Sequence, residues 1–249
     1  MVSLLRKLVP GHKDRLLYAG LVVIAANSGG AWSPIGDVTT TMLWSGHQVT
    51  AGNIIVKTIL PSLVSFIIPA WLISRQLTGV IEPVQQAAVK LRTGAAERKT
   101  VFIIAVCCLL FVPVFKTITH LPPYMGIIFG LGLMWLLTEM IHSGKDEAEK
   151  GLFTVNHALR KIDTPSILFF LGILLAVAAL ETTGVLSSLA TTLDNTLGNI
   201  SIVTIIIGLL SAIVDNVPLV AAAQGMYPLD QYPTDHFFWE FLAYCSGTG

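Results

Sequence analysis

The sequence predicts an all-α integral membrane protein with broken helices and a re-entrant hairpin. Three observations carry that reading: hydropathy, the lengths of the apolar runs, and the side on which basic residues fall. Of 249 residues, 53% are hydrophobic and 12% charged, with a mean hydropathy of +0.73, whereas a soluble domain carries about a quarter charged residues. A bilayer-crossing segment needs roughly 20 mostly apolar residues, because without water its backbone groups must pair within the segment. Such runs lie at Leu16–Trp44, Ile54–Ile73, Thr100–Phe115, Tyr124–Ile141, Pro165–Glu181, Ile200–Gly225 and from Phe237 onward.

The first run is too long for one straight span. It is interrupted over Asn27–Asp37, where three glycines and Pro34 predict an unwound stretch. The sixth, Ile200–Gly225, carries Asp215-Asn216-Val217-Pro218 near its middle and is read as a hairpin returning to the side it came from. Basic residues support this. Loops 1–15, 74–99 and 142–164 hold 13 of the 15 Lys and Arg, which makes them cytoplasmic, while loops 182–199 and 226–236 hold none. A full span at Ile200–Gly225 would put loop 226–236 in the cytoplasm without a positive charge.

The balance of 15 basic and 15 acidic residues excludes a strong field toward nucleic acid. Cys107, Cys108 and Cys245 have no metal-ligand spacing and are expected as small core residues. The six histidines fall in loops or at span edges, with no i, i+4 pair of the kind that holds a metal on a helix. Glu139 and Glu181 are expected at the membrane interface, and Glu82–Lys99 as a short amphipathic surface helix. Glu240 is left unassigned.

The chemistry gathers at two breaks. Asp37, followed by Val38-Thr39-Thr40-Thr41, places a carboxylate and hydroxyls beside carbonyls freed by the unwinding. These are the hard oxygen donors a small cation such as sodium needs in place of its water. A carboxylate at membrane depth is costly unless it holds a cation or a proton, so one group can accept either in alternation. The plainer role of Asp37, capping the helix that resumes at Val38, is compatible with this. Asp215 and Asn216, with Ser211 before them, repeat the pattern at a turn, where polar residues are also ordinary. An echo between Ala25–Gly30 and Ala243–Gly249, in runs of opposite direction, is what an inverted repeat predicts.

The run Ala25–Trp44 closely resembles the signature of NhaD-type sodium/proton antiporters, and Ser211–Val220 and Phe241–Gly249 resemble two further motifs of that family in the expected order. The resemblance implies an inverted-repeat transporter whose hairpins and broken helices meet at a central site. It implies sodium and lithium competing with protons for Asp37 and Asp215, the sodium-binding carboxylates, with Asn27, Ser28, Thr39, Thr40, Ser211 and Asn216 around them. It also implies a multi-pass protein of the cell (inner) membrane, a homodimer in full-length form, no cofactor beyond the transported ions, no enzymatic activity and no nucleic-acid partner. Residues 1–249 are read as one transporter domain, the C-terminal portion of a longer chain truncated at both ends. The alternatives are a sodium-coupled organic-anion or oxyanion transporter, which would need cationic groups absent from the predicted core, and a structural membrane subunit indifferent to either aspartate. An intramembrane aspartyl protease is opposed by the motifs: Pro34-Ile35-Gly36-Asp37 and Val214-Asp215 match neither of the patterns of that class.

Overall fold

A computed structural model describes residue 9 and residues 11–77, 94–142, 159–160 and 162–249. Its helices are α1 (His12–Ala31), α2 (Val38–Ser45), α3 (Ala51–Ser74), α4 (Ala95–Thr119) and α5 (Pro123–His142). They continue with α6 (Thr164–Thr182), α7 (Val185–Leu197), α8 (Ile200–Ser211), α9 (Asn216–Met226) and α10 (Phe237–Thr248). No strand forms among the described residues. Helices α3, α4, α5 and α6 are long and apolar enough to cross a membrane, and a fifth crossing results if the pair α7–α8, bent by 115°, is one span. Val56, Leu60 and Ile67 on α3 are exposed, as they are on a helix that faces lipid. The protein is a multi-pass membrane protein.

The chain divides into two compact units, residues 86–170 and residues 1–85 with 171–249. In the first, α4 ends at His120 in the left-handed conformation (φ 57°) and α5 runs back along it. Gly126 and Gly130 let the helices approach closely, since a Cβ on either would stand 3.1 Å from Phe115 or Cys108. Small residues of this kind are how helices associate in lipid, where escape from water offers no drive. Cys108 therefore sits in a packing seam as expected, while Cys107 is exposed rather than in a core.

In the second unit, α10 is the central element. Phe238, Trp239, Leu242 and Ala243 are all within 1% of complete burial, and α1, α2, α3, α8 and α9 pack around them. Leu43, Val203 and Val220 complete that core from α2, α8 and α9.

Three expectations change. The first helix does not unwind at Asn27. It stays helical through Ala31, and the break is the turn 32–37, because Gly29 and Gly30 are tolerated in the helix and Gly30 is needed there for close packing. Residues 182–199 hold a helix, α7, that buries Leu186 and Ala190. Glu82–Lys99 lies largely outside the described residues, and the part within them, from Ala95, belongs to α4.

Candidate functional site

The break between α1 and α2 is a tight fold of backbone on backbone. The amide of Ser33 donates to the Gly30 carbonyl at 3.1 Å, and that of Gly36 to the Ser33 carbonyl at 3.0 Å. A Cβ on Gly36 would lie 2.7 Å from the Gly30 oxygen, so only glycine fits. The Thr41 hydroxyl closes the turn, donating to the carbonyls of Pro34 (3.0 Å) and Asp37 (2.8 Å).

Asp37 emerges from this turn as the N-cap of α2. Its Oδ1 accepts from the Val38 amide at 2.7 Å, and its Oδ2 from the Thr39 hydroxyl at 2.5 Å and from Asn216 Nδ2 at 3.4 Å. The same Asn216 nitrogen donates to the Ser246 carbonyl of α10 at 3.3 Å. One amide thus bridges the carboxylate of one broken element and a backbone carbonyl of another. Gly247 permits the approach, since a Cβ there would stand 2.9 Å from that of Ala31.

Asn216 is the first residue of α9, which follows α8 through the turn 212–215. At about 1.5 Å per residue, neither helix, of 12 and 11 residues, crosses the bilayer core. Beyond α9, the Tyr227 hydroxyl donates to Asp194 of α7 at 3.0 Å, close before α8 begins. The end of α9 is therefore tied to α7, and the turn between α8 and α9 carries Asp215. Burial and the Asp194 carboxylate both raise the pKa of Tyr227 above its ordinary value.

The predicted residues do not all converge. Asp37, Thr39 and Asn216 form one hydrogen-bonded cluster. Thr40 lies beside it in sequence, fully buried, with a hydroxyl that has no hydrogen-bond partner among the described residues. Asp215 is exposed in the turn before α9 and caps that helix through the Val217 amide at 3.0 Å. Ser211 donates to the Gly208 carbonyl of its own helix at 2.7 Å. Ser28 is buried but lines a cavity between α1 and α3 with Trp32 and Ser62, and Asn27 is half-buried on α1 outside the hydrogen-bonded cluster. The carbonyl of Ser246 is the member sequence reasoning missed. Every residue has a carbonyl, and only the approach allowed by Gly247 singles this one out. Among the described residues, no group of three His, Cys, Asp or Glu side chains is placed to hold a metal.

Comparison with known proteins adds an independent line. The chain matches the model of the citrate transporter family over residues 1–249. It is 49% identical over 252 residues to sodium/proton antiporter 1 of Arabidopsis thaliana, with the whole of this chain aligned to 43% of that protein. Sodium/proton antiporter 2 of the same organism is 46% identical over 252 residues, covering 100% of this chain and 60% of that protein. The Na(+)/H(+) antiporter NhaD of Vibrio parahaemolyticus is 30% identical over 228 residues, covering 83% of this chain and 54% of that protein. The chain spans about half the length of these relatives. No solved structure matches it.

Proposed function

The chain belongs to the citrate transporter family, and from that premise we propose that it forms part of a sodium/proton antiporter in which a cation and a proton compete for Asp37. The observation that carries this reading is the cluster itself. A carboxylate, the Thr39 hydroxyl, the Asn216 carboxamide and the Ser246 carbonyl meet where two helices are interrupted. Sodium needs several oxygens to replace its water, and a helix break supplies them at membrane depth. The Asn216 amide lies between two acceptors. Turning that carboxamide presents its oxygen instead, and the Thr40 hydroxyl, buried without a partner among the described residues, is a further oxygen within the same helical turn. A proton on Asp37 removes the charge that holds the cation, so occupancy is exclusive. Asp215, in the exposed turn between α8 and α9, serves as a second carboxylate on the ion's route. Lithium, smaller and equally hard, is carried as well, no organic cofactor takes part, and the full-length protein works as a homodimer.

The family's description favours a second reading, sodium-coupled transport of an organic anion. Such an anion needs cationic partners, and the segments that form the cluster, Ser28–Ser45, Ser211–Gln224 and Phe237–Gly249, contain no Lys or Arg. The test is sodium-dependent dissipation of a proton gradient in everted vesicles, for the full-length protein and its Asp37→Asn and Asp215→Asn variants. Antiport predicts activity in the parent and its loss in Asp37→Asn. Sodium-driven citrate uptake without proton movement would replace antiport with the second reading.

A further inference from the structure

Helix α9 is fastened to α2 near both of its ends, and only one fastening belongs to the cation cluster. Asn216, the first residue of α9, bonds the Asp37 carboxylate that caps the start of α2. Two turns on, about 12 Å along the helix, the Gln224 carboxamide meets that of Gln48 at 3.0 Å and lies 3.4 Å from the Met42 carbonyl, near the end of α2. Asn216, Val220 and Gln224 follow one another at i, i+4 and i+8, so they share a face of α9. Val220 is fully buried in the core that Leu43 of α2 also enters. The stripe is polar, apolar and polar, and its polar ends match the two ends of α2.

Gln48 is the fixed partner of the outer pair. It is buried, with 8% exposure, in the turn that follows α2. Its backbone amide donates to the Leu43 carbonyl at 3.0 Å, and its own carbonyl accepts from the Asp235 amide at 2.8 Å. Its carboxamide turns the nitrogen to the carbonyls of Leu43 and Gly46, at 2.9 and 3.0 Å, and so closes the carbonyl end of α2. Gly46 leaves room for this arrangement: a Cβ there would run into the Gln48 carboxamide and stand 2.9 Å from Gln224 Nε2. Gln224 therefore docks on a rigid block. By contrast, the Asn216–Asp37 contact is long, at 3.4 Å, and a contact of that length is set by where the helix carrying the asparagine is held.

We propose that Gln224 is a positioning residue of the cation site: by locking α9 to the Gln48 block, it sets the register at which Asn216 reaches Asp37. It touches no ion. Opening the lock leaves α9 free to tilt about its buried middle, Val220, and carries the Asn216 carboxamide off the carboxylate. This rests on the antiport reading.

The test is a double-mutant cycle on the full-length protein, read both as sodium-22 affinity and as sodium-free melting temperature. Gln224→Met keeps the length of the side chain and loses its contacts with Gln48 and Met42. It should weaken sodium binding by about fivefold. In an Asn216→Ala background the same substitution should move affinity by less than about twofold, because the group it positions is gone. Gly46→Ala, which displaces both carboxamides without altering α9, should repeat the result and add nothing to Gln224→Met. An equal loss in both backgrounds would reduce Gln224 to general packing and overturn the proposal, as would parent affinity in Gln224→Met. If Gln224→Met does not fold, Gly46→Ala takes its place in the cycle. If the parent binds no sodium, antiport itself fails and the melting temperatures decide. Residues this far apart ordinarily act additively, so melting shifts that fall short of their sum keep the lock, and shifts that add overturn it.

Discussion

Gly29 and Gly30 are neighbours in one helix, yet alanine should act in opposite directions at the two positions. A Cβ on Gly29 meets nothing within 4 Å, so Gly29→Ala should stabilise by about 0.5–1 kcal/mol through the ordinary penalty of glycine in a helix. A Cβ on Gly30 would stand 2.9 Å from the Gly36 carbonyl oxygen, 3.1 Å from its carbon and 3.2 Å from Asp37 Cβ. Ordinary contact begins at 3.4 Å, so the break must move by 3.4 − 2.9 = 0.5 Å against backbone that has no rotamer to yield. Overpacking of this kind costs about 1–3 kcal/mol, which exceeds the propensity gain over most of its range. The displaced atoms include Asp37, whose 3.4 Å contact with Asn216 is already long. Thermal unfolding of the detergent-solubilised full-length protein, with and without sodium, measures both effects. Gly29→Ala should melt at or above the parent temperature and keep its sodium-induced shift. Gly30→Ala should melt several degrees lower and lose most of that shift, at roughly 2–4 °C per kcal/mol for chains of this size. Equal melting and equal sodium shifts for the two variants would refute the reasoning.

Other expectations follow from the same geometry. Asp37→Asn keeps an oxygen for the Val38 amide but sets an NH2 where Oδ2 accepts from Thr39 and Asn216, so it should cost about 1 kcal/mol in sodium-free melting, while sodium-22 binding falls at least tenfold. Thr40→Val removes a buried hydroxyl with no partner among the described residues, so it should stabilise the sodium-free protein by about 1 kcal/mol, yet weaken sodium binding if that hydroxyl is a ligand; sodium titration of the melting curve separates the two. Tyr227→Phe loses the bond to Asp194 and should cost about 1 kcal/mol in denaturant or thermal unfolding at neutral pH. The folded protein holds the Tyr227 proton more tightly than the unfolded chain does. Its contribution is therefore complete below the ordinary tyrosine value of 10.0 and is lost as pH rises above it, so the parent should lose more stability than the variant between neutral pH and strongly alkaline pH.

The break at Asp37 was legible because glycines, a proline and a carboxylate crowded into one apolar run cannot all continue a membrane helix. Its starting point was not, since Gly30 serves close packing against Gly36 and only the fold distinguishes that from unwinding. Helix α7 was missed because its polar face resembles a loop. A usable signal was present in Leu186, Leu189, Ala190, Leu193 and Leu197 at helical spacing between Gly184 and Gly198. The junction of α8 and α9 was legible as chemistry, but its two polar residues part company in space, with Asn216 turned to Asp37 and Asp215 to solvent. Sequence ranks residues by side chain, so the Ser246 carbonyl lay beyond its reach.

The meeting of helix ends around Asn216 has an electrical consequence. Two amide ends, those of α2 and α9, converge there, each already answered by a capping carboxylate. Two carbonyl ends, those of α1 and α8, arrive at the same place, with Ala31 against Gly247 and Gly208 against Cys245. Each carbonyl end carries roughly half an electron of negative partial charge and each amide end the opposite, so the helix ends nearly cancel and the two capping carboxylates set the sign. On the antiport reading, the negative charge that a monovalent cation meets there comes from those carboxylates, and the backbone holds them in place. Substituting a neutral member of the cluster should change which ion fits and how tightly, whereas removing a capping carboxylate should remove most of the attraction itself.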